Sequence, residues 1–480
     1  MDAIAVEKRR VKVGFKGIVN SLDENLIDYA YAKRAYNVGF EKGMLASNLG
    51  IDAAQGYFPY PSKLRHAFLD FASAKHIKNV FHYKYANAGT PDERLVVQLK
   101  DGTIWQTKIM SEAGWAQVQN LTISGDIEAV NYRYNGEDIL LLATEDDKLC
   151  YLKGDTAYTL NDAPRFASLT THSERVFGLV NGTKTRLWFS DDFDPTNWDV
   201  NSQDAGFIEF ADECGKLIKV LSFGGYLFIF RDYGIFRLTA FGDQSGFVLK
   251  KVFTDTGRIY KRSIVLCGDK IIFLADEGLF AFDGYDVVRV TKEMPNIVAP
   301  DDAVGAYLDK RYFIACKCDV DSEYEVAGAN NNAVVVVDLF DKSVCMFAGV
   351  DIRAMREVKT ESGAMIVTVF DTGFKNKLGM FSESGKLFSN NLVKIYATPF
   401  SDLGTSAVKT VRKLVVKTDH AITVKVKTDG DEMSFALTGS DKAQTLIVER
   451  CGERVGVSVR SVEQNLKIAP ITMYVDFTGD

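Results

Sequence analysis

A recurring pattern of short apolar strands is the feature that most limits what this chain can fold into. In the segment 190–284, two hairpins share one pattern: YLFIF, RDYG and IFRLT form the first, and KIIFLA, DEG and LFAFDG form the second. In each, a charged turn with one glycine separates two apolar strands. Sets of four such strands recur roughly every 40 residues, which is the period of propeller blades. The repeat predicts a β-propeller of about seven blades over residues 63–390.

The need to bury apolar surface explains why such a repeat forms a ring. A four-stranded blade has two apolar faces and cannot cover them alone, so neighbouring blades stack face to face around an axis. Closing the ring also hides strand edges that would otherwise be free to pair. No long segment with helical periodicity interrupts the strands, which argues against a fold built from alternating strands and helices.

Different patterns flank the predicted propeller. Residues 391–480 contain longer strands that alternate apolar and polar residues, such as AITVKVKTD and RVGVSVRSV, and predict an antiparallel β-sandwich. Residues 1–62 combine strands with one short helix, expected over 23–38 (DENLIDYAYAKRAYNV), and should close or dock onto the propeller. The predicted fold class is therefore all-β: a propeller, a C-terminal sandwich and a short N-terminal segment that contains a helix.

The charge balance narrows the possible partners. Lys and Arg total 57 against 64 Asp and Glu, a net charge of −7, so bulk positive charge does not hold this chain on nucleic acid. An acidic protein can still line a DNA path, where repulsion from phosphate prevents sticking. The basic run of Lys8, Arg9, Arg10 and Lys12 fits either a solvated strand end or an electrostatic patch.

Cysteine usage and hydropathy indicate the compartment. The seven cysteines are scattered without a CxxC motif, so buried, reduced thiols are expected rather than a disulfide framework or a zinc site. The N-terminus lacks the apolar core of a signal peptide, and no apolar run is long enough to span a membrane. We expect synthesis in the cytoplasm without classical secretion and without membrane insertion.

Motifs for catalysis are scarce. The five histidines have no metal-ligand spacing, and no HExxH, GxSxG, GxGxxG or P-loop motif occurs. The acidic stretches DVDSE (319–323) and TDGDE (428–432) place carboxylates two residues apart but lack the full ligand loop of an EF-hand. We therefore predict no enzyme activity, no catalytic, cofactor-binding or metal-binding residue, and no cofactor. The histidines are His66, His76, His82, His172 and His420.

The stretch SDDFDPTNW (190–198) is the sharpest exception. Sialidase-type propellers repeat a turn of the form Ser-x-Asp-x-Gly-x-Thr-Trp, and Ser190, Asp192, Thr196 and Trp198 resemble it. This stretch has one extra residue, Pro195 replaces the glycine, and the motif occurs once. An Asp-rich turn held by a buried tryptophan is the preferred interpretation.

The order of these motifs resembles the propeller proteins of bacteriophage tails. RLWFSDDFDPTNW, then GKLIKVLSFGGYLFIFRDYGIFRLTAFG, then TGRIYKRSIVLCGDKIIFLADEGLFAFDG are similar to consecutive strands and hairpins of that family. GFKGIVNSLDENLIDYAYAKRAYNVGFEKGMLASNLGI resembles its opening segment, and YATPFSDLGTSAVKTVRKLVVKTD resembles its closing sandwich. The resemblance covers nearly the whole chain.

The resemblance implies a structural virion protein, similar to the nozzle or tail-tip components of phages. Such subunits form a homo-oligomeric ring, commonly a hexamer, below the portal and adaptor, and meet tail fibre or tip proteins. The ring retains packaged double-stranded DNA through passive contact and conducts it during ejection, so the expected location is the virion tail. The implied role is assembly without catalysis.

Two other classes of function remain open from the residues. One is a receptor-binding or glycan-binding tail propeller, possibly one that cleaves glycans, which would be supported by a surface aromatic pocket on each blade. The chain offers only Trp105, Trp115, Trp188 and Trp198 for this purpose. The other is a cellular interaction propeller of the WD-repeat type, but paired Gly-His and Trp-Asp signatures do not recur.

Overall fold

The computed structural model describes residues 6–53, 76–87, 89–109, 114–180, 185–202, 204–211, 213–242, 244–253, 257–360 and 363–478. Strands dominate these residues, and the helical elements among them are short 3-10 turns. No described helix is long and apolar enough to cross a bilayer. The 3-10 turns are Glu24–Leu26, Gln244–Gly246, Lys261–Ser263 and Ser322–Tyr324.

The N-terminal residues form short strands instead of the longer helix expected over 23–38. That helix is reduced to the 3-10 turn Glu24–Leu26, where Asp23 accepts a hydrogen bond from the backbone of Asn25. Farther along, Ala35 and Tyr36 are buried within a strand, because their partners lie far away in sequence and outweigh local helix propensity. The strands are β1 (Val6–Val13), β2 (Arg34–Tyr36), β3 (Gly39–Glu41), β4 (Met44–Ala46) and β5 (Gly50–Asp52).

The first three blades are antiparallel four-stranded sheets. Blade one has the order β6-β9-β10-β11 and includes a separate small hairpin, β7-β8, while blades two and three follow chain order. Their strands are β6 (Ile77–Tyr83), β7 (Ala86–Asn87), β8 (Thr90–Pro91), β9 (Arg94–Leu99), β10 (Thr103–Lys108), β11 (Ala116–Thr122), β12 (Glu128–Tyr134), β13 (Glu137–Ala143), β14 (Cys150–Lys153), β15 (Thr156–Thr159), β16 (Ser168–His172), β17 (Arg175–Val180), β18 (Arg186–Phe189) and β19 (Gly206–Glu209).

Blades four to six repeat this arrangement. Each consists of four strands in chain order, and the hairpins predicted at RDYG and DEG fall in blades four and five. The strands are β20 (Leu217–Phe223), β21 (Tyr226–Arg231), β22 (Gly234–Thr239), β23 (Val248–Phe253), β24 (Val265–Cys267), β25 (Lys270–Ala275), β26 (Gly278–Phe282), β27 (Val287–Arg289), β28 (Ile297–Leu308), β29 (Arg311–Cys318), β30 (Ala333–Asp338) and β31 (Val344–Ala348).

Blade seven takes its fourth strand from the N-terminal segment. Its strands β32 (Ile352–Thr360), β33 (Gly363–Phe370) and β34 (Leu378–Ser382) are followed in the sheet by β5, which pairs antiparallel with β34. The short strands β35 (Lys386–Leu387) and β36 (Asn390–Asn391) extend the same sheet. The first strand of blade seven contacts that of blade one, which closes the ring.

Separate apolar clusters fill the spaces between blades. One joins blades four and five, where the rings of Phe230 and Phe273 lie 5.7 Å apart and those of Phe228 and Phe282 lie 5.0 Å apart. Aromatic pairs at such separations add to the stabilisation from burial. The prediction of an all-β propeller with about seven blades is confirmed: seven sheets carry the blades in the described part of the chain.

The C-terminal strands form the expected antiparallel sandwich, with help from the N-terminus. One sheet has the order β1-β44-β38-β41, and the other contains β2-β37-β42-β39-β40; a third, small sheet has the order β3-β4-β43. The sandwich is thus not built from residues 391–480 alone. The remaining strands are β37 (Lys394–Ala397), β38 (Val408–Val416), β39 (Ile422–Thr428), β40 (Glu432–Leu437), β41 (Gln444–Gly452), β42 (Val455–Ser461), β43 (Lys467–Ile468) and β44 (Ile471–Thr478).

Propeller and sandwich share a sheet and a core. β2 pairs in parallel with β31 of blade six and antiparallel with β37, which creates one nine-stranded sheet across the two parts. A single apolar cluster includes Leu274 of blade five, Ile314 of blade six and Val457 of the sandwich. The boundary expected near residue 391 therefore separates two sequence patterns but not two independent cores.

Candidate functional site

A group of charged side chains meets at the propeller axis, and we call it the axial charge cluster. Each member lies on, or just before, the first strand of its blade. The contributing blades are one, two, four, five and seven. Glu128 of blade two reaches Lys219 of blade four, so the cluster extends past the intervening blade. The members are Lys78, Asp126, Glu128, Lys219, Lys261, Arg262, Arg353 and Arg356.

Glu128 is the central acid of the axial charge cluster. Its carboxylate lies 3.0 Å from Lys219 Nζ and 3.4 Å from Lys261 Nζ, and it accepts a hydrogen bond of 2.9 Å from Ser168 Oγ. The Ser168 hydroxyl also accepts a hydrogen bond from the backbone of Val220, and its residue is fully buried. Ser168 therefore orients Glu128 and is not available as a nucleophile.

The excess of positive charge in this cluster, together with burial, shifts the pKa values of its members. Although burial opposes its ionisation, Lys219 and Lys261 lower the pKa of Glu128 to about 2. Burial, together with the cations Lys261 and Arg356, lowers the pKa of Lys219 despite its pairing with Glu128. Burial and the neighbouring Arg356 lower the pKa of Arg262 to about 10. An anion is thus favoured and a cation disfavoured at the axis.

No motif in the sequence indicates this cluster directly, because its members are scattered from Lys78 to Arg356. One signal was nevertheless present: Lys219 lies in the otherwise apolar run LIKVL, where a lysine interrupts a strand that enters the core. An ionisable residue on a first strand of a blade must face a partner at the axis or solvent. Only the three-dimensional ring brings these positions together.

The stretch SDDFDPTNW forms a turn in blade three. Thr196 donates to Asp194 through both its backbone nitrogen and its hydroxyl, at 2.9 and 2.6 Å. Trp198 is 4% exposed, donates from Nε1 to the Pro195 carbonyl at 3.0 Å, and packs on Phe166. Asp192 binds Arg175 at 2.7 Å. The turn is held by a buried tryptophan, as the preferred interpretation predicts.

The two acidic stretches considered for calcium pair with cations. In 319–323, Asp321 binds Arg34 at 2.8 Å and Glu323 binds both terminal nitrogens of Arg460 at 2.9 Å. These contacts link blade six to β2 and to the sandwich strand β42. In 428–432, carboxylates pair with lysine and arginine in the same way, through Asp429–Arg454, Asp431–Arg450 and Glu432–Lys425.

The histidines occupy separate environments. Burial and the nearby Lys84 lower the pKa of His82 to about 4, so its ring is neutral although Nε2 lies 3.3 Å from Glu93. His172 Nδ1 lies 2.8 Å from Ser222 Oγ, and His420 Nδ1 lies 2.9 Å from Asp419. His66 lies outside the described residues. In the part of the chain that the structure describes, no cluster of three or more metal-binding side chains occurs.

All four tryptophans pack against other apolar side chains. Trp188 contacts Phe207 with ring centroids 5.0 Å apart within blade three. Trp105 and Trp115 pack against the cluster between blades one and seven. Together with the buried Trp198, these positions do not form one surface aromatic pocket per blade.

Comparisons with known proteins add little. No protein-family model and no curated protein matches the chain. Among solved structures, Raptor of Chaetomium thermophilum is similar with a TM-score of 0.43 and 13% identity, covering 66% of this chain and 29% of that one. BBS1N, from a complex with ARL6DN, is similar with a TM-score of 0.42 and 9% identity, covering 64% of this chain and 92% of that one. The chain thus matches less than a third of the length of Raptor, and neither likeness bears on function.

Proposed function

We propose that the chain is a structural subunit of a bacteriophage tail. Copies of it form a ring of the nozzle type, with six copies as the expected number, below the portal and adaptor. The ring retains the genomic DNA and conducts it during ejection. The order of motifs along nearly the whole sequence, which resembles that family, is the basis of the proposal.

The observation that most supports this function is the continuous sheet through propeller and sandwich. A ring subunit must transmit force between its neighbours without bending at a domain joint. Here β31, β2 and β37 are hydrogen-bonded neighbours, and the two parts share an apolar core. The ion pairs of Glu323 with Arg460 and of Asp321 with Arg34 add side-chain contacts across the joint. Such a body suits a scaffold better than an enzyme that opens and closes.

Charge also fits the proposal. The net charge of −7 keeps a conduit from binding the DNA that passes through it. The cations of the axial charge cluster lie partly buried at the propeller axis, so they do not alter the outer surface that a channel would present. A closed ring needs only one pair of complementary patches per subunit, repeated around the symmetry axis.

Two measurements on the purified full chain and on virions test the proposal. Light scattering after size-exclusion chromatography should give a homo-oligomer, and electron microscopy should show rings with a central opening. Antibody labelling of virions should then place the protein in the tail, between the portal and the fibres. A monomer that hydrolyses a polysaccharide and is absent from tails would instead favour a glycan-cleaving propeller and refute the conduit.

A further inference from the structure

Two adjoining cavities open beside the axial charge cluster. Their volumes are about 300 and 250 Å³, and both are lined by Glu128, Lys261, Arg262 and Arg356. Lys219 lines the second cavity as well. Four cations therefore lie around Glu128 in a space that has room for a small molecule and its hydration water. Asp126, Glu145 and Asp146 also line the first cavity, and Glu357 lines the second.

Most of the carboxylates around the cavities already form ion pairs with lysine or arginine side chains. Glu128 already pairs with two lysines. Asp126 lies 3.1 Å from Lys78 and 3.7 Å from Arg353, and Glu357 lies 3.0 Å from Lys359. Glu145 and Asp146 also line the first cavity, but these residues are solvent-exposed. Asp126 and Asp302 attract Arg262, and Glu128 attracts Arg356, but none of these carboxylates forms an ion pair with the two remaining arginines.

Arg262 and Arg356 are those arginines. Neither forms an ion pair with a carboxylate among the described residues. Arg262 donates one hydrogen bond to the Arg353 carbonyl, and Arg356 lies over the ring of Phe81 at 5.8 Å. A guanidinium has five N–H donors, so most donors of both groups remain available for a ligand. Guanidinium groups match the oxygen spacing of phosphate particularly well.

We propose that the axial cavity binds a small phosphate-bearing anion through Arg262 and Arg356. Lys219 and Lys261 contribute positive charge, while Glu128 competes with the ligand for the same cations. The bound anion would connect blades four, five and seven at the centre of the ring. This inference holds whether or not the chain assembles into a tail.

Isothermal titration of the full-length protein tests this site, with inorganic phosphate and glycerol 3-phosphate as probes at constant ionic strength. We expect saturable binding of at least one probe. Because Arg356→Gln removes charged hydrogen-bond donors, it should weaken binding about tenfold or more. Glu128→Gln should tighten binding, since it removes the competing charge. Arg460→Gln, in a solvent-exposed pair between the sandwich and blade six, is the matched control and should bind as the wild type does.

The two probes distinguish the sources of the phosphate group. Binding of inorganic phosphate alone assigns the site to the free ion, whereas tighter binding of glycerol 3-phosphate assigns it to a phosphate ester. A second readout needs no variant: the bound probe should protect Arg262 and Arg356 of the wild type from modification by phenylglyoxal, as read by mass spectrometry. Absence of saturable binding by both probes, or unchanged modification of both arginines, overturns the proposal.

Discussion

Asn37 provides the most direct test of how the propeller is joined to the sandwich. It follows β2, is 1% exposed, and has a φ of 60°. Its side-chain Nδ2 donates to the Val393 carbonyl at 2.9 Å, and its Oδ1 accepts from the Ala348 backbone at 3.0 Å. One side chain thus satisfies backbone groups of blade six and of the segment that leads into β37.

The expected loss on Asn37→Ala follows from these contacts. Without the Asn37 side chain the Ala348 N–H is left unpaired, which costs about 1–3 kcal/mol, whereas the Val393 carbonyl keeps its hydrogen bond from the Tyr324 hydroxyl. An alanine in the left-handed region costs about 1 kcal/mol more. The free energy of unfolding should therefore fall by about 2–4 kcal/mol, a large part of the about 5–15 kcal/mol typical of folded domains. Asn37→Gly loses the same hydrogen bonds without the backbone strain, so it should be about 1 kcal/mol less destabilised than the alanine variant.

Guanidinium unfolding followed by tryptophan fluorescence measures these differences. Asn135→Ala is the matched control, because Asn135 is exposed in a turn and has a φ of 50°. The control should lose only the backbone contribution of about 1 kcal/mol. If Asn37→Ala unfolds within about 0.5 kcal/mol of the wild type, the hydrogen bonds at the joint do not stabilise it and the reasoning fails.

Two further predictions concern buried ionisable groups. The pKa of Glu128 lies at about 2 in the folded chain against an ordinary value of 4.5, so its stabilisation is complete above pH 4.5 and is lost as the pH falls towards 2. In urea unfolding, the free energy of unfolding of the wild type should fall by up to about 3 kcal/mol over this pH range, and that of Glu128→Gln should not. Parallel pH profiles of the two proteins would contradict this. Among the seven cysteines, six are buried and Cys451 is exposed. A thiol reagent should therefore modify one thiol per native chain and all seven after unfolding, whereas rapid modification of several native thiols would argue against the buried positions.

Local patterns predicted the blades well because a blade is made of consecutive hairpins. The run YLFIF-RDYG-IFRLT becomes β21 and β22, with Arg231 and Gly234 paired at the turn. Short apolar runs and the turn residues between them are properties of neighbouring residues, so the sequence shows them directly. The turn at 190–198 was predictable for the same reason, since the hydrogen bonds of Thr196 with Asp194 and of Trp198 with Pro195 join near neighbours.

Contacts between distant segments could not be predicted in this way. Ala35 and Tyr36 lie in a stretch with helical composition, but their strand partners Tyr396 and Ile395 are about 360 positions away. The axial charge cluster likewise depends on ring closure, which sets Glu128 beside Lys219 and Lys261. In both places, tertiary partners determine the structure and local propensity does not.

β1 and β5 pair with strands that are synthesised much later, which affects the order in which the chain can fold during synthesis. β5 pairs with β34, and β1 pairs with β44, so Val6 meets Thr478. At about 5–20 residues per second, β1 leaves the ribosome on the order of tens of seconds before its partner exists. Until then, β1 has an unpaired edge, and its positive charges discourage pairing with other nascent chains. These charges are Lys8, Arg9, Arg10 and Lys12. Ribosome-bound intermediates should therefore contain stacked blades while the ring is still open.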